Sequence, residues 1–516
     1  MGENRENRKT LECVSSVSPA AYRHFSETIW PVLKKGPFKT IIFFLLLLVA
    51  AHIASFWTDT HTSLMDVTIL NSFLPFKNLQ QSAEIPEFPF NCSNIDLTKG
   101  CPSGTHHHNP TTSSNEECPH YFRWIHENLR PWKERGGITR EMVERARPTA
   151  NFRLLIVNGT MYVERYRQPY QTRDVFTWWG ILQLMRRYPG RLPDLDLMFD
   201  CDDLPTIRSD DYKGPLASAP PPLFRYCADN STLDIVFPDW SFWGWPEINI
   251  KPWGQMLKQF REVNKMMIWS KKEPYAYWKG NPNRYQSRLH LMKCNSSPKQ
   301  DWNARIYVQD WKKEGREGFK NSDLAKQCIH RYKIYVEGNS WSVSEKYILA
   351  CNSMALIVKP RYYDFFTRSL VPLKHYWPIK EQDMCRSIKF AVDFGNSHQP
   401  MAQEIGNMGS KFVQEELKME YVYDYMFHLL NEYSKLLLYK PTVPEKAVEY
   451  CSEVMGCSAS GFVKQSMKES VVMGPSNTEP CTMPPPFDAT TLRHFLDEKE
   501  NQTKEVETWE NQNRRQ

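Results

Sequence analysis

The segment RLPDLDLMFDCDDLP, residues 191–205, is the stretch from which we infer the fold. Its apolar centre predicts a buried β-strand that ends in Asp200, Asp202 and Asp203. Open α/β sheets bind ligands at the carboxyl ends of their strands. Carboxylates there can hold a divalent ion, as in the D-x-D pattern that residues 200–202 match, or act as a general base toward a hydroxyl. A surface acidic turn is the alternative.

Helix-like and strand-like segments alternate on both sides of this strand. Upstream, FRLLIVNGTMYVERY predicts two strands around an Asn-Gly turn, and VFTWWGILQLMRRYP predicts a helix. A second alternation follows Trp253, so the order predicts an α/β protein with two α/β halves. We place the first domain at 116–255 and the second at 256–440. Residues 441–516 are rich in proline and polar residues, and we expect an extension that wraps over the surface or is partly disordered.

One apolar run, TIIFFLLLLVAAHIASFW at 40–57, is long enough to cross a bilayer. Seven Lys or Arg residues precede it in 1–39, whereas 58–98 contains one, so the positive-inside bias predicts a cytosolic tail at 1–39. We therefore expect a single-pass type II membrane protein with a stem at 58–115 and a lumenal C-terminal part. A cleaved signal peptide is the alternative. The net charge of +6, without a long basic run, argues against a nucleic-acid partner.

Twelve of the thirteen cysteines follow the apolar run, which suits an oxidising compartment. They allow up to six disulfides, or fewer if some cysteines are buried and free. No pair has the C-x-x-C spacing of a zinc site. Five glycosylation sequons lie on the same side of the run, at Asn91, Asn158, Asn230, Asn295 and Asn501.

RYKIYVEGNSWSVSEKYILACNS, residues 331–353, predicts a strand, a glycine-containing turn and a helix. Ser342 and Glu345 have the spacing of a capping box, which would leave backbone N–H groups at the helix start free to meet an anion. Lys346 would add a positive charge beside that anion. The segment is equally consistent with an ordinary capped helix and a solvated lysine.

Two further segments are candidates for the site. In AYWKGNPNRYQSRLHLMKC, residues 276–294, Lys279 and Arg288 flank a loop that leads into a helix, and a guanidinium suits a diphosphate because it binds two oxygens at once. In FPDWSFWGWP, the residues Trp240, Phe242 and Trp243 indicate an aromatic wall facing a carbohydrate or polypeptide. Core packing is the commoner explanation for such aromatics.

Taken in order, these motifs resemble the Rumi-like protein O-glucosyltransferases, glycosyltransferase family 90, over about residues 118–440. The resemblance rests on four ordered segments: RLPDLDLMFDCDDLP, FPDWSFWGWP, AYWKGNP, and EGNSWSVSEKYILACNSMALIV with the PRYYDFF and HYWPI that follow. The style of KYILACNSM and KPRYYDFFTRSLVPL is similar to plant members. The resemblance implies a GT-B-like architecture, in which two Rossmann-like domains face a cleft, together with an inverting reaction, no metal and no cofactor. Because the resemblance implies a reaction without a metal, it weakens the interpretation of residues 200–202 as a D-x-D metal site.

The same resemblance assigns roles to individual residues. Asp203 would be the catalytic base, and Arg288 with the turn Ser342-Val343-Ser344 would meet the diphosphate of a UDP-sugar. The chain departs from the animal enzymes at Ser344 and Lys279, where they carry arginine, so phosphate recognition would depend on Lys346 or Lys279.

The resemblance does not fix the donor sugar or the acceptor. We expect UDP-glucose or UDP-xylose as donor and a protein Ser or Thr as acceptor, with a cell-wall polysaccharide as an alternative. A non-catalytic lumenal lectin or chaperone is the alternative of another class. The C-terminal NQNRRQ is not an ER-retrieval signal, so we expect Golgi membrane residence, with the endoplasmic reticulum as the alternative.

Overall fold

The computed structural model describes residues 86–94, 100–102, 110–114, 116–214 and 218–515. The predicted cytosolic tail, the apolar run at 40–57 and most of the stem lie outside these residues. Among the described residues, no helix has both the length and the apolar character needed to cross a membrane.

Helices and strands alternate through most of the described chain. The strands are β1 (Phe152–Val157), β2 (Thr160–Arg165), β3 (Leu195–Phe199), β4 (Leu223–Arg225), β5 (Ala228–Asp229), β6 (Ile235–Val236), β7 (Glu273–Gly280), β8 (Ala304–Val308), β9 (His330–Tyr335), β10 (Met354–Val358), β11 (Tyr362–Tyr363), β12 (Trp377–Ile379) and β13 (Val448–Tyr450). The α-helices are α1 (Trp124–Lys133), α2 (Arg140–Arg145), α3 (Arg173–Arg187), α4 (Trp253–Met266), α5 (Gln286–Met292), α6 (Trp311–Arg316), α7 (Ser344–Leu349), α8 (Met384–Ser397), α9 (Gln399–Lys411), α10 (Met419–Ser434), α11 (Ser452–Ser458), α12 (Gly461–Ser470) and α13 (Ala489–Asn513).

The first sheet has six strands in the order β13-β2-β1-β3-β4-β6, and we call it, with the helices packed on it, the first lobe. Asn158 and Gly159 both have positive φ, 52° and 75°, as a type I′ turn requires, so the predicted hairpin is confirmed. Strands β3, β4 and β6 are parallel, but β1 is antiparallel to both β2 and β3. The prediction of a Rossmann-like first domain therefore holds only for the parallel half of this sheet.

The second sheet is parallel throughout, in the order β12-β10-β9-β7-β8, and with its helices forms the second lobe. Read along the chain this is the 2-1-3-4-5 order of doubly wound folds, with its switch point between β7 and β9. Both neighbours of the switch point are buried strands, because Ala276, Trp278, Tyr332 and Ile334 lie in the core of this lobe. The sequence prediction of a Rossmann-like second domain fits this sheet.

The C-terminal residues join both lobes. Helix α10 packs against α1 and α3 of the first lobe, although the sequence-based division placed it in the second domain. Strand β13 pairs with β2 at the edge of the first sheet. Helix α13 packs on the second lobe, where Val506 is buried and the Trp509 ring stacks on Phe394 with centroids 5.4 Å apart. The described part of 441–516 is thus part of the fold, and the expectation of partial disorder does not apply to it.

Five disulfides are formed within the described residues. Three of them tie the beginning of this part of the chain to its end: Cys92–Cys457, Cys101–Cys451 and Cys118–Cys481. The other two, Cys294–Cys385 and Cys328–Cys351, lie in the second lobe. Cys201 and Cys227 are free and buried, so the alternative of fewer than six disulfides is the one observed.

Candidate active site

The carboxyl end of β3 places Asp203 at the edge of the first sheet. Its side chain is 36% exposed. Oδ1 accepts a hydrogen bond of 2.8 Å from Nη1 of Arg173, the first residue of α3. Oδ2 accepts a longer one, 3.3 Å, from Nδ2 of the exposed Asn339. Asp203 is therefore held on one side and open to solvent on the other, as a base that must meet a substrate requires.

The other two acidic residues of segment 191–205, Asp200 and Asp202, are paired with arginines. The buried Asp200 accepts hydrogen bonds from Arg225 and, at 3.0 Å, from Arg167, and Asp202 accepts one of 2.8 Å from Arg167. Burial raises the pKa of Asp200, and the guanidinium of Arg225 opposes that effect. A metal bound in the D-x-D manner would have to compete with both guanidinium groups, so these residues do not fit a metal site.

The switch point of the second sheet is occupied by Arg288 of α5. Its guanidinium donates to the carbonyl oxygens of Glu337 at 3.0 Å, Asn281 at 3.2 Å and Val336 at 3.3 Å, and to Ser342 Oγ at 3.3 Å. Among the described residues no carboxylate pairs with it. Burial lowers the pKa of Arg288. A largely buried guanidinium without a counter-charge, where doubly wound sheets bind ligands, suits an anion.

Ser342 and Val343 end the loop after β9, and Ser344 is the first residue of α7. Ser342 Oγ accepts from the guanidinium of Arg288 at 3.3 Å, and Ser344 Oγ lies 2.9 Å from Ser342 Oγ. The predicted capping box is wrong: Val343 is the N-cap of α7, and Glu345 turns inward, where Tyr335 donates to its carboxyl. Burial raises the pKa of Glu345 well above its ordinary value.

The two lysines assigned to the donor side differ in their surroundings. Lys279, near the end of β7, donates to the Asn321 carbonyl at 2.7 Å. Lys346 is buried, and its Nζ lies 3.1 Å from Asp239 Oδ2 and 2.8 Å from Ser241 Oγ. The predicted diphosphate contact of Lys346 does not fit this placement, because a first-lobe carboxylate already neutralises its charge.

The aromatic wall is also placed differently from the prediction. Trp240, Phe242 and Trp243 are all buried, and Trp243 donates its indole N–H to the Tyr423 hydroxyl at 3.0 Å. These rings form core between α3, α4 and α10 instead of facing an acceptor, which is the alternative that the sequence left open. Leu204, next to Asp203 in the chain, and Tyr170, whose ring centre lies 5.5 Å from the Arg173 guanidinium, are exposed.

The carboxyl edges of the two sheets meet at the boundary between the lobes, which we call the cleft. Asn339 of the second lobe reaches Asp203 of the first, and β5 pairs antiparallel with β11 beside this contact. Arg361, just before β11, adds an ion pair of 3.3 Å to Asp229 of β5. The base candidate and the anion-binding candidate therefore belong to one site formed by both lobes.

Three residues near Asp203 and Arg288 were not predicted from the sequence: Arg173, Asn339 and Glu337. Glu337 lies in the loop that also carries Asn339, its carbonyl accepts from Arg288, and burial raises the pKa of its carboxyl to about 7. Only the positions of Asn339 and Glu337 in the strand–turn–helix segment hinted at a role. Arg173 gave no signal, because its partner lies 30 residues further along the chain.

The fold and the site define a class: a two-lobed α/β protein that sets a largely buried arginine at the edge of a parallel sheet, opposite a carboxylate. The chain belongs to glycosyl transferase family 90, whose model matches residues 113–510. The chain is therefore a glycosyltransferase, and the resemblance drawn from its motifs is confirmed at the family level. The likeness to plant members stays a prediction.

Named relatives agree with this assignment. The chain is 26% identical over 341 residues to protein O-glucosyltransferase 1 of Homo sapiens, covering 64% of this chain and 83% of that protein. It is 26% identical over 335 residues to the O-glucosyltransferase rumi homolog of Aedes aegypti, covering 62% and 79%. It is 24% identical over 349 residues to O-glucosyltransferase rumi of Drosophila melanogaster, covering 65% and 81%.

Proposed function

We propose that this protein transfers a sugar, glucose or xylose, from a UDP-sugar to the hydroxyl of a protein Ser or Thr, with inversion at the anomeric carbon. The observation that carries the proposal is the Asp203–Asn339 contact, which sets a half-exposed carboxylate opposite the loop that surrounds Arg288. Relatives named as protein O-glucosyltransferases support glucose as donor sugar and a protein as acceptor.

In the proposed reaction, Asp203 takes the proton of the acceptor hydroxyl as its oxygen attacks the anomeric carbon. The bond from that carbon to the diphosphate oxygen breaks on the opposite face, and UDP leaves with the electron pair. The configuration is inverted because attack and departure occur on opposite faces. The proton passes from Asp203 to solvent after the product leaves.

The diphosphate gathers negative charge as it leaves, and Arg288 is the group we assign to stabilise it. The fixed guanidinium needs no reorganisation at that moment, which is the condition under which electrostatic stabilisation is strongest. Ser342 and Ser344 supply hydroxyl donors beside it. The occupation of Asp200 and Asp202 by arginines supports a reaction that needs no metal. We also propose no organic cofactor and a Golgi membrane location with a single N-terminal anchor.

The test is a panel of UDP-sugars offered to the purified full-length chain with EDTA present. Thermal shift reports binding, and UDP release in the presence of an unfolded serine peptide, a folded small disulfide domain or a xylan oligosaccharide reports transfer. We expect one UDP-sugar to stabilise the protein, the folded or unfolded polypeptide to be glycosylated, and EDTA to have no effect. Glycosylation of the oligosaccharide alone would move the acceptor to polysaccharide.

Arg288→Gln tests the donor side in the same assay. We expect donor affinity to fall by about 10- to 100-fold, the loss of one charge-assisted contact of roughly 1.5–3 kcal/mol. Arg305→Gln, which removes an arginine paired with Asp301 elsewhere in the second lobe, is the matched control. Absence of binding by every UDP-sugar to the folded wild type would instead favour a lectin or chaperone.

A further inference from the structure

Arg173 is buried and makes its contacts at the one carboxylate that the proposed reaction uses as a base. Its Nη1 donates at 2.8 Å to Asp203 Oδ1 and at 2.8 Å to the carbonyl of Cys201. No other carboxylate among the described residues forms an ion pair with it. The two acceptors are two residues apart at the end of β3, so one guanidinium fixes both the backbone and the side chain of that segment.

The guanidinium of Arg173 is itself held by aromatic rings. It lies 4.3 Å from the centre of the buried Trp240 ring and 5.5 Å from that of the exposed Tyr170 ring. Stacking on aromatic faces is a property of the planar guanidinium, whereas an ammonium group makes no such planar contact. Trp240, which the sequence assigned to acceptor binding, therefore supports the residue that holds the base.

The two oxygens of Asp203 are not equivalent as a result. Oδ1 is bonded to a buried, stacked group, and Oδ2 faces the cleft with only the long contact to the exposed Asn339. A substrate hydroxyl displaces a 3.3 Å contact to an exposed neutral amide more easily than a 2.8 Å charge-assisted bond. Rotation of the carboxylate is limited while Oδ1 is held.

We propose that Arg173 is a positioning residue for the transfer reaction: it holds Oδ1 of Asp203 so that Oδ2 is the atom that receives the acceptor proton. This inference rests on the proposed function. The proton moves from the acceptor hydroxyl to Oδ2, the hydroxyl oxygen forms its bond to the anomeric carbon, and UDP leaves with the electron pair. Arg173 exchanges no proton in this step.

The test compares Arg173→Ala, Arg173→Lys and Arg153→Ala in the full-length chain, with donor KM, kcat and thermal stability measured for each. Arg153 is the matched control, because it is also buried in the first lobe and forms ion pairs, with Asp196 and Glu144, away from the cleft. We expect kcat of Arg173→Ala to fall about 100-fold, the cost of a base displaced by about 1 Å, with donor KM within about twofold of the wild type. Arg153→Ala loses stability but keeps kcat per folded molecule.

Chemical rescue separates positioning from simple loss of packing. Guanidinium at low millimolar concentration enters the space vacated beside Trp240 and restores part of kcat to Arg173→Ala, whereas methylammonium at equal ionic strength does not. Asp203→Asn is not rescued. Two results would overturn the inference while the function stands. One is full kcat in both Arg173 variants. The other is a fall in kcat of Arg173→Ala that only matches the fall in Arg153→Ala and that guanidinium does not reverse. Full activity of Asp203→Asn would overturn the proposed base itself.

Discussion

At the residue scale, the buried cations of this protein differ in what surrounds them. Lys346 is neutralised by Asp239, whereas Arg288 donates to backbone carbonyls and to Ser342 and forms no ion pair with a carboxylate of the described residues. Lys333 in β9 and Lys272 just before β7 are buried as well, and burial together with their charges lowers the pKa of the buried His330 to about 3. Burial lowers the pKa of Lys333 to about 7, and burial together with the charge of Lys333 does the same to Lys272.

Lys333→Met removes one of these buried amines while keeping an unbranched side chain of similar length. Between about pH 7 and pH 10.5 the unfolded chain holds a proton on Lys333 that the folded protein does not hold. Wild-type stability therefore rises with pH in this window, and the variant lacks that increment. We expect the free energy of unfolding of the variant to exceed that of the wild type most at pH 6.5 and progressively less at pH 8 and 9.5, as measured by denaturant unfolding.

The control for this prediction is Lys389→Met, which removes an exposed lysine paired with Asp393 in the same lobe. The difference in free energy of unfolding between Lys389→Met and the wild type is expected to change little with pH, since surface ion pairs contribute about 0–1 kcal/mol. Equal pH slopes for the wild type and Lys333→Met would show that Lys333 keeps its proton in the folded protein.

Some residues of the candidate site could be placed from the sequence, and others could not. The placement of Asp203 after a strand and of Arg288 near the start of a helix was predictable, because local pattern gives both, whereas their roles came from the family resemblance and stay predictions. Lys346 was misassigned because its partner, Asp239, lies 107 residues away and no local pattern encodes that pairing. Trp243 was misassigned for the same reason, since the groups that bury it come from α3 and α10.

At the element scale, α3 connects the core to the site. Its first residue holds Asp203, and its middle residue, Gly180, packs on the Trp243 ring. A Cβ at Gly180 would lie 2.6 Å from that ring, closer than packed atoms approach. The absent side chain thus fixes how near α3 lies to the segment that carries Trp240, and Trp240 in turn supports Arg173.

Gly180→Ala sets helix propensity against packing. Alanine favours a helix interior by about 1 kcal/mol over glycine, but overpacking a filled core costs about 1–3 kcal/mol. We expect the melting temperature to fall. Gly254→Ala in α4 is the control: its nearest neighbour is Met419 Cγ at 3.6 Å, so that variant should melt at or above the wild-type temperature. A stabilised Gly180→Ala would mean that α3 can shift away from Trp243 at little cost.

Most elements of both sheets were predictable, because period-two and period-3.6 patterns are local. The Asn158-Gly159 hairpin is the clearest case, since its turn chemistry and its flanking strands agree. The antiparallel pairing of β1 with β3 was not predictable, because strand order depends on contacts between distant segments. The failure of the capping box at Ser342 has a similar origin: Glu345 is drawn inward by Tyr335, which lies on a buried strand.

At the scale of the whole molecule, the chain end that sequence composition described as an extension holds the lobes together. Strand β13 completes the first sheet, α13 covers the second lobe, and three disulfides bind this region to residues near the start of the described chain. Long-range links of this kind restrict the unfolded chain and stabilise the folded one. Of the two alternatives that the sequence left open for this region, wrapping over the surface fits these contacts, although few apolar residues of α13 carry its packing.

Trp509→Ala tests whether α13 belongs to the fold. The ring packs on Phe394 and lies 5.8 Å from the Trp377 ring, so we expect a loss of about 3 kcal/mol, near the lower end for removal of a large aromatic because Trp509 is only partly buried. Leu496→Ala, on the exposed side of the same helix, should change stability by less than about 0.5 kcal/mol. Denaturant unfolding of both variants measures the difference. Equal, small losses of stability in the two variants would show that the packing of α13 on the second lobe does not stabilise the fold.

The central claim is that Asp203, between the two lobes, is the base of a metal-independent transfer. Its most direct test is single-turnover transfer with EDTA present, for Asp203→Asn and for Asp202→Asn, after UDP-sugar binding has been measured for both. We predict that both variants bind the donor, that Asp202→Asn keeps most of the turnover, and that Asp203→Asn loses at least about 100-fold. Full turnover by Asp203→Asn, or loss of turnover in Asp202→Asn that added divalent metal reverses, would contradict the claim.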